Sequence, residues 1–279
     1  MFFCLEGLEN LSRHFNFTQF NSIIFMIKDS PKEEKVGTNK VMETNSKDLA
    51  AVLRDGHEIR HMSEPSLELM KAAVKKTPAA IKHLKHPPLE VMLLAVTGGW
   101  NSLRFIEHPP YAVQLAAVRN KGWAIQYIKE QTEELQLEAV RRDYDAIQYI
   151  PNPSCTVQVA AVTTFWSALK YIENPCFEAK VLAVGKSEQA ITYVGDYGEE
   201  ELKSYLLANI RIVKYIYDSL DVQLLYAVLK EKFGQEGVEP HYIQDFMELQ
   251  ILDINKVNFI RDFGSRSTKQ ALVDYVLGR

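Results

Sequence analysis

Cysteine is scarce: Cys4, Cys155 and Cys176 are the three in 279 residues. They are too few and too scattered for a disulfide framework or a zinc site of recognisable spacing. Reduced thiols in a cytosolic compartment are the expectation. Long apolar runs are also missing. The longest near the start, Ile23 to Ile27, falls far short of the ~18 residues that suggest a membrane span. No basic residue precedes the apolar N-terminal segment, which argues against a secretory signal. A surplus of positive charge is absent too. Lys and Arg number 32 against 36 Asp and Glu, so the net charge of -4 carries no global mark of nucleic-acid binding. No phosphate-cradling glycine loop, dinucleotide fingerprint or nucleophile elbow occurs. Gly98-Gly99-Trp100 reads as a turn. No catalytic residue, cofactor or metal site is therefore assigned, and the expectation is a protein that is not an enzyme.

What the chain does have is a period. Ala-Val recurs at 51, 73, 95, 117, 139, 161 and 183, becomes Tyr205-Leu206, and returns at 227. Ala124-Ile125-Gln126-Tyr127-Ile128 recurs as Ala146-Ile147-Gln148-Tyr149-Ile150 and as Ala168-Leu169-Lys170-Tyr171-Ile172. A fixed period near 20 residues marks a solenoid of stacked units. Proline keeps its own column at Pro65, Pro87, Pro109, Pro153 and Pro175, each behind a polar residue such as His86, His108 or Asn152. This spacing predicts a polar N-cap followed by proline at the first helical position, and a first helix of roughly ten residues. A second helix then carries the ridge Ile59, Ile81, Leu103, Ile125, Ile147, Leu169, Ile191 and Val213, and three residues on Met62, Leu84, Ile106, Ile128, Ile150, Ile172, Val194 and Ile216. The next proline is expected to end it. Such short helices are not stable alone, so each unit must bury its stripe on its neighbours.

The expected fold class is thus an all-α solenoid of about eight 22-residue two-helix repeats over residues 47–230. Residues 1–46 read as an N-terminal segment and polar linker, with Ser46 as the first N-cap. Within them, the phenylalanine-rich residues 1–28 suggest a helical cover for the open end of the array. Met26 stands as an alternative start. Residues 231–279 read as a C-terminal cap with helices near 241–253 and 267–277, because Gly234, Gly237 and Pro240 interrupt the pattern.

The Pro, Ala-Val and Ala-Ile-x-Tyr-Ile beats resemble short-helix tandem-repeat proteins. Among them are leucine-rich-variant-type repeats and a bacterial and viral repeat family of unknown function with an Ala-Val, turn, Ala-Leu-x-Tyr pattern. The resemblance spans about 48–229. It implies a right-handed α-solenoid in a bacterial or viral cytoplasm, and it offers no catalytic residues to carry over.

Function must then be sought where the units differ. The turn between the two helices carries Trp100, Trp123, Tyr144, Phe165 and Trp166, and basic residues such as Arg119, Arg141 and Arg142 precede it. Arginine and tryptophan on one edge have the composition of a binding hot spot. Trp100, Arg119, Trp123, Arg141, Arg142 and Trp166 are the candidate anchors for another macromolecule, first of all a protein partner. The competing structural account is that basic residues at a helix C-terminus bond its free carbonyls and that the rings cover the core.

Charge also differs along the array. Residues 71–121 hold eight basic and two acidic side chains, whereas residues 130–201 hold five basic and thirteen acidic. The basic half makes nucleic acid the alternative partner. Five histidines (His57, His61, His83, His86 and His108) sit in columns that packing and capping already explain. Asp143 beside Arg142, with Trp123 and Trp166 a unit away, suggests by analogy alone the base-handling pocket of helical-repeat DNA-processing enzymes. Cys155 and Cys176, nearly one repeat apart, are candidate neighbours in space.

Overall fold

The computed structural model describes residues 39–278. The expectations for residues 1–38, the helical cover and the start at Met26 among them, lie outside the described residues. The chain forms two compact units, Met1–Lys47 and Asp48–Arg279, and the repeats belong to the second.

Seven ten-residue α-helices follow one another at intervals of 22: α2 Leu67–Lys76, α3 Leu89–Gly98, α4 Tyr111–Asn120, α5 Glu133–Arg142, α6 Cys155–Thr164, α7 Phe177–Lys186 and α8 Glu199–Ala208. The described residues contain no strand. Each α-helix packs on the next. The fold is an all-α helical-repeat solenoid.

From Gly56 to Tyr193 the second element of each unit is not an α-helix. It is a six-residue 3₁₀ segment, as in Pro78–His83, Gly122–Tyr127 or Tyr144–Tyr149. Its bonds run back three residues: Ala80 N donates to Thr77 O at 2.8 Å and Leu84 N to Ile81 O at 3.0 Å. Geometry supplies a reason. Six residues at about 2.0 Å rise span ~12 Å, closer than α geometry (~9 Å) to the ~15 Å length of the helix alongside. With three residues per turn, positions three apart eclipse. The two ridge columns therefore stack directly, and Ile125 and Ile128 are both buried. The segment ends just before the second ridge residue, which is its extended C-cap (Ile128 φ -99, ψ 119), well before the next proline column.

The N-cap column also moves. Each α-helix begins two residues after the proline, and Ser66, Thr132 and Ser154 are the caps, their Oγ atoms accepting from Leu69 N, Leu135 N and Val157 N. The polar residues before proline do another job. His86, His108 and Asn152 adopt left-handed backbone at φ 51, 50 and 49, a region in which His and Asn are enriched. They reverse the chain between one unit and the next. Ser46 is likewise not a cap. An α-helix, α1, runs from Asn39 to Arg54 straight through it, since the expected linker has neither proline nor glycine after Gly37 to stop a helix.

The core lies between the α layer and the 3₁₀ layer. Ala117, Val118, Ala124, Ile125, Ala139, Val140, Ala146, Ala161 and Val162 are all 0% exposed. Alanine in the close-packed columns lets the layers approach, and the branched residues fill what remains. The array ends in a short break. α9 Val213–Ile216 is followed by the longer α10 Val222–Gly234. The returning Ala227-Val228 does not restore the unit, because Ala227 is exposed while Val228 is buried. Three helices close the chain: α11 Pro240–Glu248, α12 Lys256–Phe263 and α13 Arg266–Val276. The sequence pattern suggests the first and third. α12 falls in the gap between them.

Candidate functional site

The six candidate residues sit where an α-helix hands over to the following 3₁₀ segment. Arg119 lies in the last turn of α4, and Arg141 and Arg142 end α5. Trp100 and Trp166 open their 3₁₀ segments, and Trp123 is second in its own. Each indole leans on the tyrosine that ends the 3₁₀ segment of the next unit. Trp100 stacks on Tyr127 at 5.9 Å, Trp123 meets Tyr149 edge-on at 6.0 Å, and Trp166 approaches Tyr193 at 6.4 Å. Tyr144, Phe165 and Trp166 continue the row at 5.0 and 6.0 Å. The tryptophans are half-buried, while Phe165 and Tyr193 are 46% and 44% exposed. The result is a row of partly exposed rings along the 3₁₀ layer.

Much of the polar chemistry at this edge joins one unit to the next. Asp143 uses both carboxylate oxygens. Lys121 Nζ donates to Oδ1 at 2.7 Å, and the Gly122 backbone N–H donates to Oδ2 at 2.6 Å. Position 122 must be glycine for this approach, because a Cβ there would lie 2.4 Å from Ala139 O. Asp143 thus forms a staple between one unit and the next. Trp123 Nε1 donates to Asp145 Oδ1 at 2.8 Å, and Lys121 Nζ lies 5.2 Å from the Trp123 ring centre. Arg142 Nε donates to Asn120 O at 3.3 Å, one unit back. Lys186 Nζ does the same to Thr163 O at 3.2 Å. These cations complete free carbonyls at the C-terminal end of the preceding helix. Arg119 pairs with Glu138 at 3.2 Å. Arg141 is exposed and makes no hydrogen bond or ion pair among the described residues.

Two sets of polar residues that the sequence reading did not single out also hold the units together. Asn120 Nδ2 donates to Val96 O at 2.8 Å, and Asn209 Nδ2 to Val184 O at 2.9 Å. Gln114, Gln136 and Gln158 each donate to a turn carbonyl five residues earlier: Pro109 O, Gln131 O and Pro153 O. The 22-residue recurrence of glutamine was the available signal. It lies among apolar columns, where a polar residue must find a partner once buried.

The basic stretch 71–121 is less bare than its composition suggests. Lys71 bridges Glu90 at 2.9 Å and Glu68 at 3.4 Å. The hydrogen bond to Glu90 raises its pKa despite partial desolvation. Lys121 and Arg119 are paired with Asp143 and Glu138, while Arg104 lies over Phe105 at 4.5 Å. Among the histidines, His57 and His83 meet edge to face at 5.3 Å, and His61 Nε2 accepts from Arg60 Nε at 3.0 Å. Burial, and then the neighbouring Lys82 charge, push the His83 pKa down.

Cys155 and Cys176 do come together, in a disulfide with Cα atoms 5.7 Å apart, which corrects the expectation of reduced thiols. Their positions, the first residue of α6 and the N-cap of α7, are brought side by side by the stacking of units. With Glu178 they form a group of potential metal ligands whose donor atoms all lie within 4.8 Å of one another.

Fold and edge together define the class: an all-α tandem-repeat protein with an aromatic and basic row along one layer. Among the described residues no helix is long and apolar enough to cross a membrane. Comparison of the chain with protein-family models, curated proteins and solved structures finds no match.

Proposed function

We propose that the chain is a non-catalytic scaffold that binds another protein along the junction between the α and 3₁₀ layers. The row of part-exposed rings from Trp100 to Tyr193 supports this reading. Aromatic residues beside arginine dominate binding energy at interfaces, and the rings are pre-ordered by their cross-unit contacts, so little side-chain freedom is lost on binding. Arg141, the one candidate cation with no hydrogen bond or ion pair among the described residues, supplies charge next to the row. The family resemblance enters as kinship of architecture. A cytoplasmic setting belongs to the same proposal.

The test is affinity for a partner cross-linked to the native protein. Arg141→Glu and Trp166→Ala are each expected to weaken binding at least tenfold, about 1.4 kcal/mol, with helicity unchanged. If both bind as the parent does, the edge is not the interface. Titration with a labelled oligonucleotide tests the alternative. Phosphate contacts would appear as a steep salt dependence, and the expected result is no binding at low salt.

A further inference from the structure

The Cys155–Cys176 pair sits in an arrangement that a disulfide alone does not explain. Glu178 Oε2 lies 3.3 Å from Cys155 Sγ. A disulfide sulfur has no proton to donate, so this carboxylate gains no hydrogen bond from the contact in the oxidised chain. The position becomes useful when a proton or a cation stands between the two atoms. All three donor atoms fall within 4.8 Å of one another, and the residues are half-buried or exposed, so ions can reach them. Cys155 is the first residue of α6 and Cys176 the N-cap of α7, where the positive end of the helix favours the thiolate that metal binding requires. The surrounding charge favours a cation as well. Residues 130–201 carry thirteen acidic side chains against five basic, and Glu133 lies alongside, accepting from Ser154 Oγ at 2.6 Å.

We propose that the dithiol form of Cys155 and Cys176, together with Glu178, is a binding site for a thiophilic divalent cation, Zn²⁺ in the first instance. Two thiolates at about 2.3 Å and one carboxylate oxygen at about 2.0–2.2 Å make three corners of a tetrahedron, and water supplies the fourth. Cα atoms 5.7 Å apart allow both sulfurs to reach one ion. The disulfide is the competing state. It forms when one thiolate attacks a low-molecular-weight disulfide and releases one thiol, after which the second thiolate displaces the other from the mixed disulfide. Two protons and two electrons leave the cysteines and reduce the small disulfide to two thiols. Metal and disulfide thus exclude one another, and the site joins two consecutive units in either state.

The experiment uses the full chain with Cys4→Ser, reduced and then titrated with Zn²⁺ against a chromophoric chelator. Co²⁺ is added in parallel to report thiolate ligation by its near-ultraviolet charge-transfer band. The expected result is one Zn²⁺ per chain and the thiolate band, both lost in Cys176→Ser and after oxidation by glutathione disulfide. Glu178→Gln, an exposed change that leaves the core intact, is expected to weaken Zn²⁺ binding at least about tenfold, the lower end of what losing even a supporting group costs. Zinc bound no better by the reduced than by the oxidised chain would overturn the proposal. So would zinc retained in full by Cys176→Ser. Parental affinity in Glu178→Gln would overturn the three-ligand site.

Discussion

The repeat array and the closing helices bury apolar surface in different ways. In the array the core of α2 to α7 is mainly alanine and branched aliphatic side chains in fixed columns, with buried Tyr205 taking the alanine place in α8, and each unit touches mainly the next. In α10 to α13 a cluster of rings joins the aliphatic side chains in the core. Phe233 meets Phe246 at 4.8 Å, Tyr242 at 5.9 Å and Phe259 at 6.2 Å. Hydrogen bonds there span 30 residues or more: Thr268 Oγ1 to Phe233 O at 3.0 Å, and Gly237 N to Ser267 Oγ at 3.0 Å. The two regions are joined by Tyr242 OH, which donates to Leu206 O at 2.8 Å, and by Arg211, which links Glu188 to Asp245. A periodic unit always leaves one face open for a copy of itself. Ending the series takes a surface that no further unit fits, and large non-repeating rings provide it.

Phe233→Ala is the most severe way to separate the regions. It empties a fully buried site shared by three rings and should cost ~3–5 kcal/mol. Hydrogen exchange should show protection falling in α11 to α13 before α4 to α6. An equal fall in both would show that the array and its end open as one unit.

Within the array, Gly122→Ala sharpens the contrast between close approach and free space. A Cβ at 122 would press on Ala139 O, while one at Gly185 meets nothing closer than Ala208 Cβ at 3.9 Å. Urea unfolding should show Gly122→Ala less stable by ~1–3 kcal/mol and Gly185→Ala more stable by ~0.5–1 kcal/mol. Asp143→Ala removes the acceptor of the Gly122 N–H and should cost ~1–3 kcal/mol. Thermal melts of the single and double variants with Gly122→Ala should be non-additive if the two residues act as one staple.

The smallest effect concerns the joint between the regions. Desolvation pushes the Glu188 pKa up, but hydrogen bonds from Arg211 and Lys214 outweigh it and hold the carboxyl below its usual value. A depressed carboxylate pKa adds stability above the unfolded value of about 4.3, and that stability is lost as pH falls through the folded value. The stability difference between the parent and Glu188→Gln should therefore be constant above about pH 5.5 and shrink on acidification below ~4.3. A difference that is flat down to pH 3 would remove Glu188 from the joint.

The Ala-Val and Ile columns made the unit length, the helix of ten residues and the all-α class legible, because a side chain that recurs every 22 residues meets the same neighbours each time. The cap column was misplaced by two. A polar residue before proline suits both a cap and a left-handed turn, and the backbone at His86, His108 and Asn152 distinguishes them. The candidate edge was legible as a set of residue types but not as a set of contacts. Whether Arg142 reaches outward or back to Asn120 O depends on where the preceding helix ends.

By itself, then, the sequence determined the period, the core columns and the places where the pattern stops, since those follow from local spacing and from which side chains avoid water. Tertiary structure alone decided three further matters. The second element winds as a 3₁₀ segment, because it must match the length of the helix it covers. Asp143 and Trp123 bond across units, because stacking brings residues about 22 apart within 3 Å. Cys155, Cys176 and Glu178 converge at two helix starts, because one unit is set beside the next with its N-termini aligned.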